Sequence, residues 1–151
     1  MRKISILGIV LGGIVALFAG GILAMGLGVY AAMHVDVVHQ SSPAKAQEMV
    51  RAFAYDDPVM YYGGMTITFA CCILGGWLSA FTARAAERVN GLLVFLIPGG
   101  MHFAKFGHRG DQHALVVQLL YVSVFALGGW LGGSLRAAQV KKRIALELRP
   151  Y

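Results

Sequence analysis

The chain has 151 residues, of which 58% are hydrophobic and 13% are charged, with a mean hydropathy of +0.67. Because charged residues approach a quarter of a soluble globular domain, this composition excludes that class and indicates a membrane protein. The length allows one membrane bundle without a separate globular domain. The net charge of +6 comes from basic residues that flank apolar segments, so it indicates membrane topology and not nucleic-acid binding.

Four apolar segments follow one another along the chain. They predict an all-α polytopic membrane protein in which one transmembrane bundle occupies residues 1–151. A basic start followed by an apolar run is typical of a signal peptide, but this run is too long for a cleaved one, so we expect a membrane anchor. The predicted transmembrane helices are 4–33, 59–83, 89–105 and 113–135.

The first segment carries a small residue at every fourth position, with bulky residues beside it. In lipid such a row lets another helix backbone approach closely, so that dispersion and Cα–H···O contacts form. A similar row marks the second segment, and two glycines mark the fourth. The predicted helix-packing residues are Gly8, Gly12, Ala16, Gly20, Ala24, Gly28, Ala32, Gly64, Cys72, Gly76, Gly128 and Gly132.

The row on the first segment is long for a bundle of this size. Successive members of an i+4 row rotate around the helix, so a straight partner helix meets only three or four of them. Seven small residues therefore exceed what one partner helix can use. We expect part of the row to contact a helix outside this chain.

The loop after the first segment contains a predicted amphipathic helix at 43–55. Ser42 and Pro43 predict its start, because serine caps helices and proline suits the first turn. Met49, Val50 and Phe53 fall on one face. This pattern is typical of a helix lying on the outer membrane surface, or of a lid packed over the bundle.

The third segment is the shortest and contains Pro98-Gly99-Gly100. Proline removes a backbone donor and glycine adds freedom, so we expect either a short span kinked at these residues or a re-entrant segment. The charges favour the kinked span. If all four segments cross, nine basic residues share one side and four share the other, which obeys the positive-inside rule. Both termini are then cytoplasmic, in a bacterial inner membrane.

The second and fourth segments share a repeated motif near their ends, Gly75-Gly76-Trp77-Leu78 and Gly128-Gly129-Trp130-Leu131. An arginine and two alanines follow each copy. Both segments are expected to run in the same direction, as after duplication of a two-helix unit. The first and third segments show no comparable match.

Few residues suggest chemistry. No Asp, Glu, Lys or Arg lies within the long apolar runs, which disfavours an ion-coupled carrier. Nothing matches a hydrolytic or nucleotide-binding arrangement, so we expect no enzymatic activity. Cys71 and Cys72 are adjacent, which favours packing roles over a disulfide. On the predicted outer side, His34, Met101 and His102 are speculative ligands for copper, haem or a pigment, and no cofactor is assigned.

The predicted cytoplasmic tail, 139–151, is basic. We expect Lys141, Lys142 and Arg143 to bind anionic lipid, with docking to a partner subunit as the alternative.

These observations predict a non-catalytic accessory or assembly subunit of a larger membrane complex, docking through the small-residue row of the first helix. Respiratory and photosynthetic complexes are typical hosts. The first alternative is a small homo-oligomeric channel or carrier, and the second is metal or cofactor binding on the outer side. The expected partners are membrane lipids and other transmembrane subunits, without nucleic acid.

Overall fold

The computed structural model describes residues 4–35, 42–83, 86–106 and 112–147, and these residues form helices without any strand. The helices are α1 (Ile6–His34), α2 (Pro43–Asp56), α3 (Pro58–Ala83), α4 (Glu87–Leu93), α5 (Leu96–Phe106) and α6 (Gln112–Glu147). Three of them, α1, α3 and the Gln118–Glu147 part of α6, are long and apolar enough to cross a membrane. The chain is therefore an all-helical protein with the features of a membrane protein.

Helices α1 and α3 run antiparallel and meet through their backbones. A Cβ added to Gly12 would collide with the carbonyl oxygen of Gly75, and a Cβ added to Gly75 would collide with the carbonyl oxygen of Gly12. A Cβ added to Gly8 would lie 2.8 Å from the carbonyl oxygen of Ser79. The two helices can approach this closely because neither carries a side chain at the crossing.

Helices α3 and α6 run parallel and also meet at glycines. A Cβ on Gly76 would collide with the carbonyl oxygen of Gly129, so equivalent glycines of the repeated motif face each other. A Cβ on Gly132 would collide with the carbonyl oxygen of Ile73. Because α1 and α6 both pack chiefly against α3, this helix occupies the centre of the bundle.

The closest helix contacts lie at one end of the bundle, which we call the basic end. It holds the start of α1, the end of α3, the start of α4 and the level of Arg136 on α6. Among the described glycines, those whose added Cβ would come within 3.0 Å of another atom all lie in the half nearest this end. They are Gly8, Gly12, Gly13, Gly75, Gly76, Gly91, Gly128, Gly129, Gly132 and Gly133.

The third apolar segment is broken, but one turn before the predicted kink. Helix α4 ends at Leu93 and α5 begins at Leu96, so Pro98-Gly99-Gly100 lies inside the first turns of α5. Pro98 has no N–H to offer the carbonyl oxygen of Val94, four residues earlier. That oxygen accepts instead from the N–H of Ile97, at 3.3 Å. The proline therefore interrupts the helix at Val94 and not at itself.

A buried polar cluster closes the basic end. The side-chain carbonyl Oδ1 of Asn90 accepts from the backbone N–H of Ser5 at 2.8 Å, and its Nδ2 donates to the carbonyl of Ala86 at 3.1 Å. The hydroxyl of Ser79 donates to the backbone carbonyl of Asn90 at 3.1 Å. Asn90 and Ser79 are fully buried. These hydrogen bonds join the starts of α1 and α4 to the end of α3.

The opposite end is joined by Asp57 and by aromatic contacts. Asp57 accepts from the N–H of Met60 at 2.9 Å and thereby caps α3, while the Tyr30 hydroxyl donates to its other oxygen at 3.5 Å. Phe53 of α2 stacks on His34 with ring centroids 6.0 Å apart. Ser42 occupies the cap position of α2, but its side chain makes no capping hydrogen bond.

Helix α6 is longer than the predicted span 113–135, because it continues through most of the predicted tail to Glu147. No glycine or proline occurs between Gly133 and Pro150, and Ala, Gln, Lys, Arg and Leu all favour helix. Residues 148–151 of the predicted tail lie outside the described residues.

The Asn90 cluster can be tested by stability. Replacement Asn90→Ala removes both side-chain hydrogen bonds and leaves the Ser5 N–H without its partner, so we expect a loss of about 1–3 kcal/mol in the free energy of unfolding. Thermal unfolding of the purified protein in detergent measures the effect. Ser123→Ala is the control, because the exposed Ser123 hydroxyl donates only within its own helix, to Leu119. Equal effects of the two replacements would contradict a structural role for the cluster.

Candidate docking surface on the first helix

The small-residue row of α1 is divided into two halves by its surroundings. Gly8, Gly12 and Ala16, at the basic end, are buried. Ala24, Gly28 and Ala32, toward the opposite end, are exposed, and Gly20 lies between the two states. The structure thus uses three members of the row for packing within the chain.

The exposed half makes little contact with the rest of the chain. A Cβ added to Gly28 would have no neighbouring atom within 4 Å, and at Gly20 the nearest atom is the Sγ of Cys71, at 4.0 Å. Gly21, which lies beside the row, and Gly26, on the other side of the helix, are equally open. Each glycine in a helix interior costs roughly 1 kcal/mol relative to alanine. At these positions no contact between described residues offsets that cost.

A groove of about 390 Å³ runs beside the row. Its α1 wall is formed by two leucines and by small residues, among them Gly20, Gly21 and Ala24. Other helices contribute residues such as Thr68 of α3 and Phe125 of α6. The groove is mainly apolar, and its size falls in the range of sites that hold small apolar ligands or side chains.

The predicted packing residues of the other helices lie mostly inside the bundle. Gly64, at the edge of the groove, lies near the Tyr121 hydroxyl, which would be 4.0 Å from an added Cβ. The remaining ones are buried between α3 and α6: Cys72, Gly76, Gly128 and Gly132. Cys71 and Cys72 are both free thiols. These positions serve the internal α3–α6 contact and offer no surface to a partner.

The speculative metal ligands are not brought together in the described part of the chain. The His34 ring lies against Tyr30, with centroids 4.2 Å apart, and its Nδ1 is 2.9 Å from the Tyr30 carbonyl oxygen. Met101 instead lines the groove. His102 belongs to α5, and its side chain lies outside the described set. Among the residues that the structure describes, no three His, Cys, Asp or Glu side chains are grouped to hold a metal ion.

Polar side chains in the spans mostly bond within their own helices. Thr66 donates to the Tyr62 carbonyl at 2.8 Å, and Ser123 donates to that of Leu119 at 2.8 Å. Gln118 is buried, with 6% of its surface exposed. The Thr66 and Ser123 hydroxyls are thus satisfied by backbone carbonyls of their own helices.

The predicted lipid-binding residues lie on the part of α6 that extends beyond Arg136. Lys141, Lys142 and Arg143 are exposed, and Arg143 is paired with Glu147 at 3.0 Å. At 1.5 Å per residue they lie roughly 8–11 Å along the helix from Arg136, on the side away from the apolar run.

Sequence reasoning missed the contacts that surround Arg136. Its guanidinium lies 4.6 Å from the centre of the Phe81 ring, and Trp77 donates its indole N–H to Gln139 at 3.0 Å. The signal was present in the repeated Gly-Gly-Trp-Leu motif, which places an aromatic residue and an arginine near the end of each helix.

Comparison of the chain with protein-family models, with curated proteins and with solved structures finds no match.

The two halves of the row should respond oppositely to the same replacement. Gly12→Ala places a methyl group against the Gly75 carbonyl, so we expect a loss of about 1–3 kcal/mol in the free energy of unfolding. Gly28→Ala meets open space and improves helix propensity, so we expect a gain of up to about 1 kcal/mol. Unfolding of both variants in detergent measures the difference. Similar losses in both would show that the exposed half is already packed within the chain.

Proposed function

We propose that this chain is a non-catalytic accessory or assembly subunit of a larger membrane protein complex, and that it docks through the exposed half of the α1 row. The observation that carries the proposal is the open surface at Gly28, which continues a row whose other half already packs a helix. The partner is a transmembrane helix of another subunit, because small residues on a lipid-facing helix surface are typical of helix–helix interfaces and offer no catalytic group.

The dimensions of the exposed half suit a helix. From Gly20 to Ala32 the row covers 12 residue steps, roughly 18 Å of helix axis. The groove beside it provides space for bulky side chains of a partner, while the row itself lets the partner's backbone approach. We expect such a helix to pack as α3 packs at Gly12 and Gly75, with its backbone directly against that of α1.

We propose further that the chain crosses the membrane four times, with both termini on the cytoplasmic side of a bacterial inner membrane. Helices α4 and α5 hold 7 and 11 residues, which together span roughly 27 Å, close to the ~30 Å of a hydrocarbon core. The excess of basic residues on the side of the N-terminus supports this orientation.

The docking proposal is tested by blocking the row. Gly28→Leu places a bulky side chain on the exposed half without a clash inside the chain, so we expect partner subunits to be lost while the protein still folds. The measurement is gentle solubilisation from native membranes, followed by sizing and mass spectrometry of the proteins that co-purify.

Gly26→Leu is the matched control. Gly26 lies on the same helix with nothing within 4 Å of an added Cβ, but two residues along the helix turn it about 200° from Gly28. We expect this variant to retain its partners. If both variants retain them, the row is not the docking surface. If the wild type purifies alone as a homo-oligomer, the accessory role is wrong and a homo-oligomeric channel or carrier replaces it.

A further inference from the structure

A second groove, of about 250 Å³, lies at the basic end between α6 and the adjoining ends of α3 and α4. Unlike the groove beside α1, it combines charged and apolar walls. Its apolar part includes Ala80, Val140 and Ile144. Its charged part consists of Glu87, Arg136, Arg143 and Glu147. No part of the proposed docking function uses it.

The charges of this groove are not all neutralised by one another. Arg143 is paired with Glu147 along α6 at 3.0 Å. Glu87 and Arg136, although both are described and line the same groove, form no ion pair within 4.0 Å. Arg136 makes a long hydrogen bond of 3.5 Å to Gln139, so most of its five N–H donors remain available. The groove thus presents one cation and one carboxylate, held apart.

The groove also lies at the level of a membrane boundary. Trp77 donates to Gln139 beside it, and Arg136 covers the Phe81 ring from the same level. Tryptophan and arginine at the end of a transmembrane helix are typical of the headgroup layer. Half-exposed Ile144 extends the apolar wall.

We propose that this groove binds the headgroup of an aminophospholipid of the phosphatidylethanolamine type. The phosphate accepts hydrogen bonds from the Arg136 guanidinium, and the primary ammonium donates to the Glu87 carboxylate. The ethylene linker of the headgroup separates these two charges, and Arg136 and Glu87 are likewise not in ion-pair contact.

The charge pattern distinguishes this lipid from the two commonest alternatives. Phosphatidylcholine carries a phosphate but no ammonium N–H, so it cannot donate to Glu87. Phosphatidylglycerol brings no cation at all and leaves Glu87 unpaired. The exposed Lys141 and Lys142 attract any anionic lipid, but they lie outside this groove.

Native mass spectrometry of the full-length protein, delipidated in detergent, tests the proposal. The probes are phosphatidylethanolamine, phosphatidylcholine and phosphatidylglycerol with identical acyl chains. We expect the wild type to bind phosphatidylethanolamine about tenfold more tightly than phosphatidylcholine, which is the effect of one charge-assisted hydrogen bond. Glu87→Gln should abolish this preference without weakening phosphatidylglycerol binding, and Arg136→Gln should weaken all three.

Glu48→Gln is the matched control, because Glu48 is exposed on α2 at the opposite end. It should leave the preference unchanged. Equal binding of phosphatidylethanolamine and phosphatidylcholine by the wild type would overturn the proposal, as would a preference that survives Glu87→Gln. A wild type that prefers phosphatidylglycerol would also overturn it. If Arg136→Gln does not fold, as judged by thermal unfolding, Glu87→Gln alone decides the outcome.

Discussion

The bundle depends on the contact of bare backbones at Gly12–Gly75 and Gly76–Gly129. In lipid the hydrophobic effect does not draw helices together, since the acyl chains are as apolar as the side chains. Cohesion must come from close packing, and its strength falls steeply when atoms separate by even an ångström. The glycines of α3 permit that closeness on two faces, so this helix can hold α1 and α6 at the same level.

The two ends of the bundle differ in packing, because the close helix contacts are concentrated at the basic end. There α4 packs between its neighbours, with Gly91 against Gly129 and Gly133. The Asn90 cluster provides hydrogen bonds to polar backbone groups at this end, such as the Ser5 N–H. Toward the opposite end α5 replaces α4 after the break at Val94, and a groove remains beside α1. The helices are thus closely packed at the basic end and leave a groove beside α1 toward the opposite end.

Several features of the fold could be predicted from residues close together in the sequence. Long runs without charge predict the helices α1, α3 and α6, because burying a charge in lipid is expensive. Pro98 was foreseeable as the cause of a break. Because a proline leaves the carbonyl four residues earlier without its helical donor, the break lies at Val94 and not at Pro98-Gly99-Gly100. Asn90 gave no signal, because its partner Ser5 lies 85 positions away and Ser79 belongs to a different helix. Spacing alone also shows no difference between the buried and exposed halves of the α1 row, since each member has the same local pattern.

The hydrogen bond from Ser5 to Asn90 spans 85 positions of the chain, and this separation has a consequence for biogenesis. At ~5–20 residues synthesised per second, roughly 4–17 s pass between the emergence of the two partners. Gly75 follows Gly12 after 63 positions, so for roughly 3–13 s of that interval the first helix resides in the bilayer with Gly8, Gly12 and Ala16 not yet covered by α3. Its choice of neighbour is therefore a kinetic one, made among whichever helices the insertion machinery holds nearby until α3 arrives.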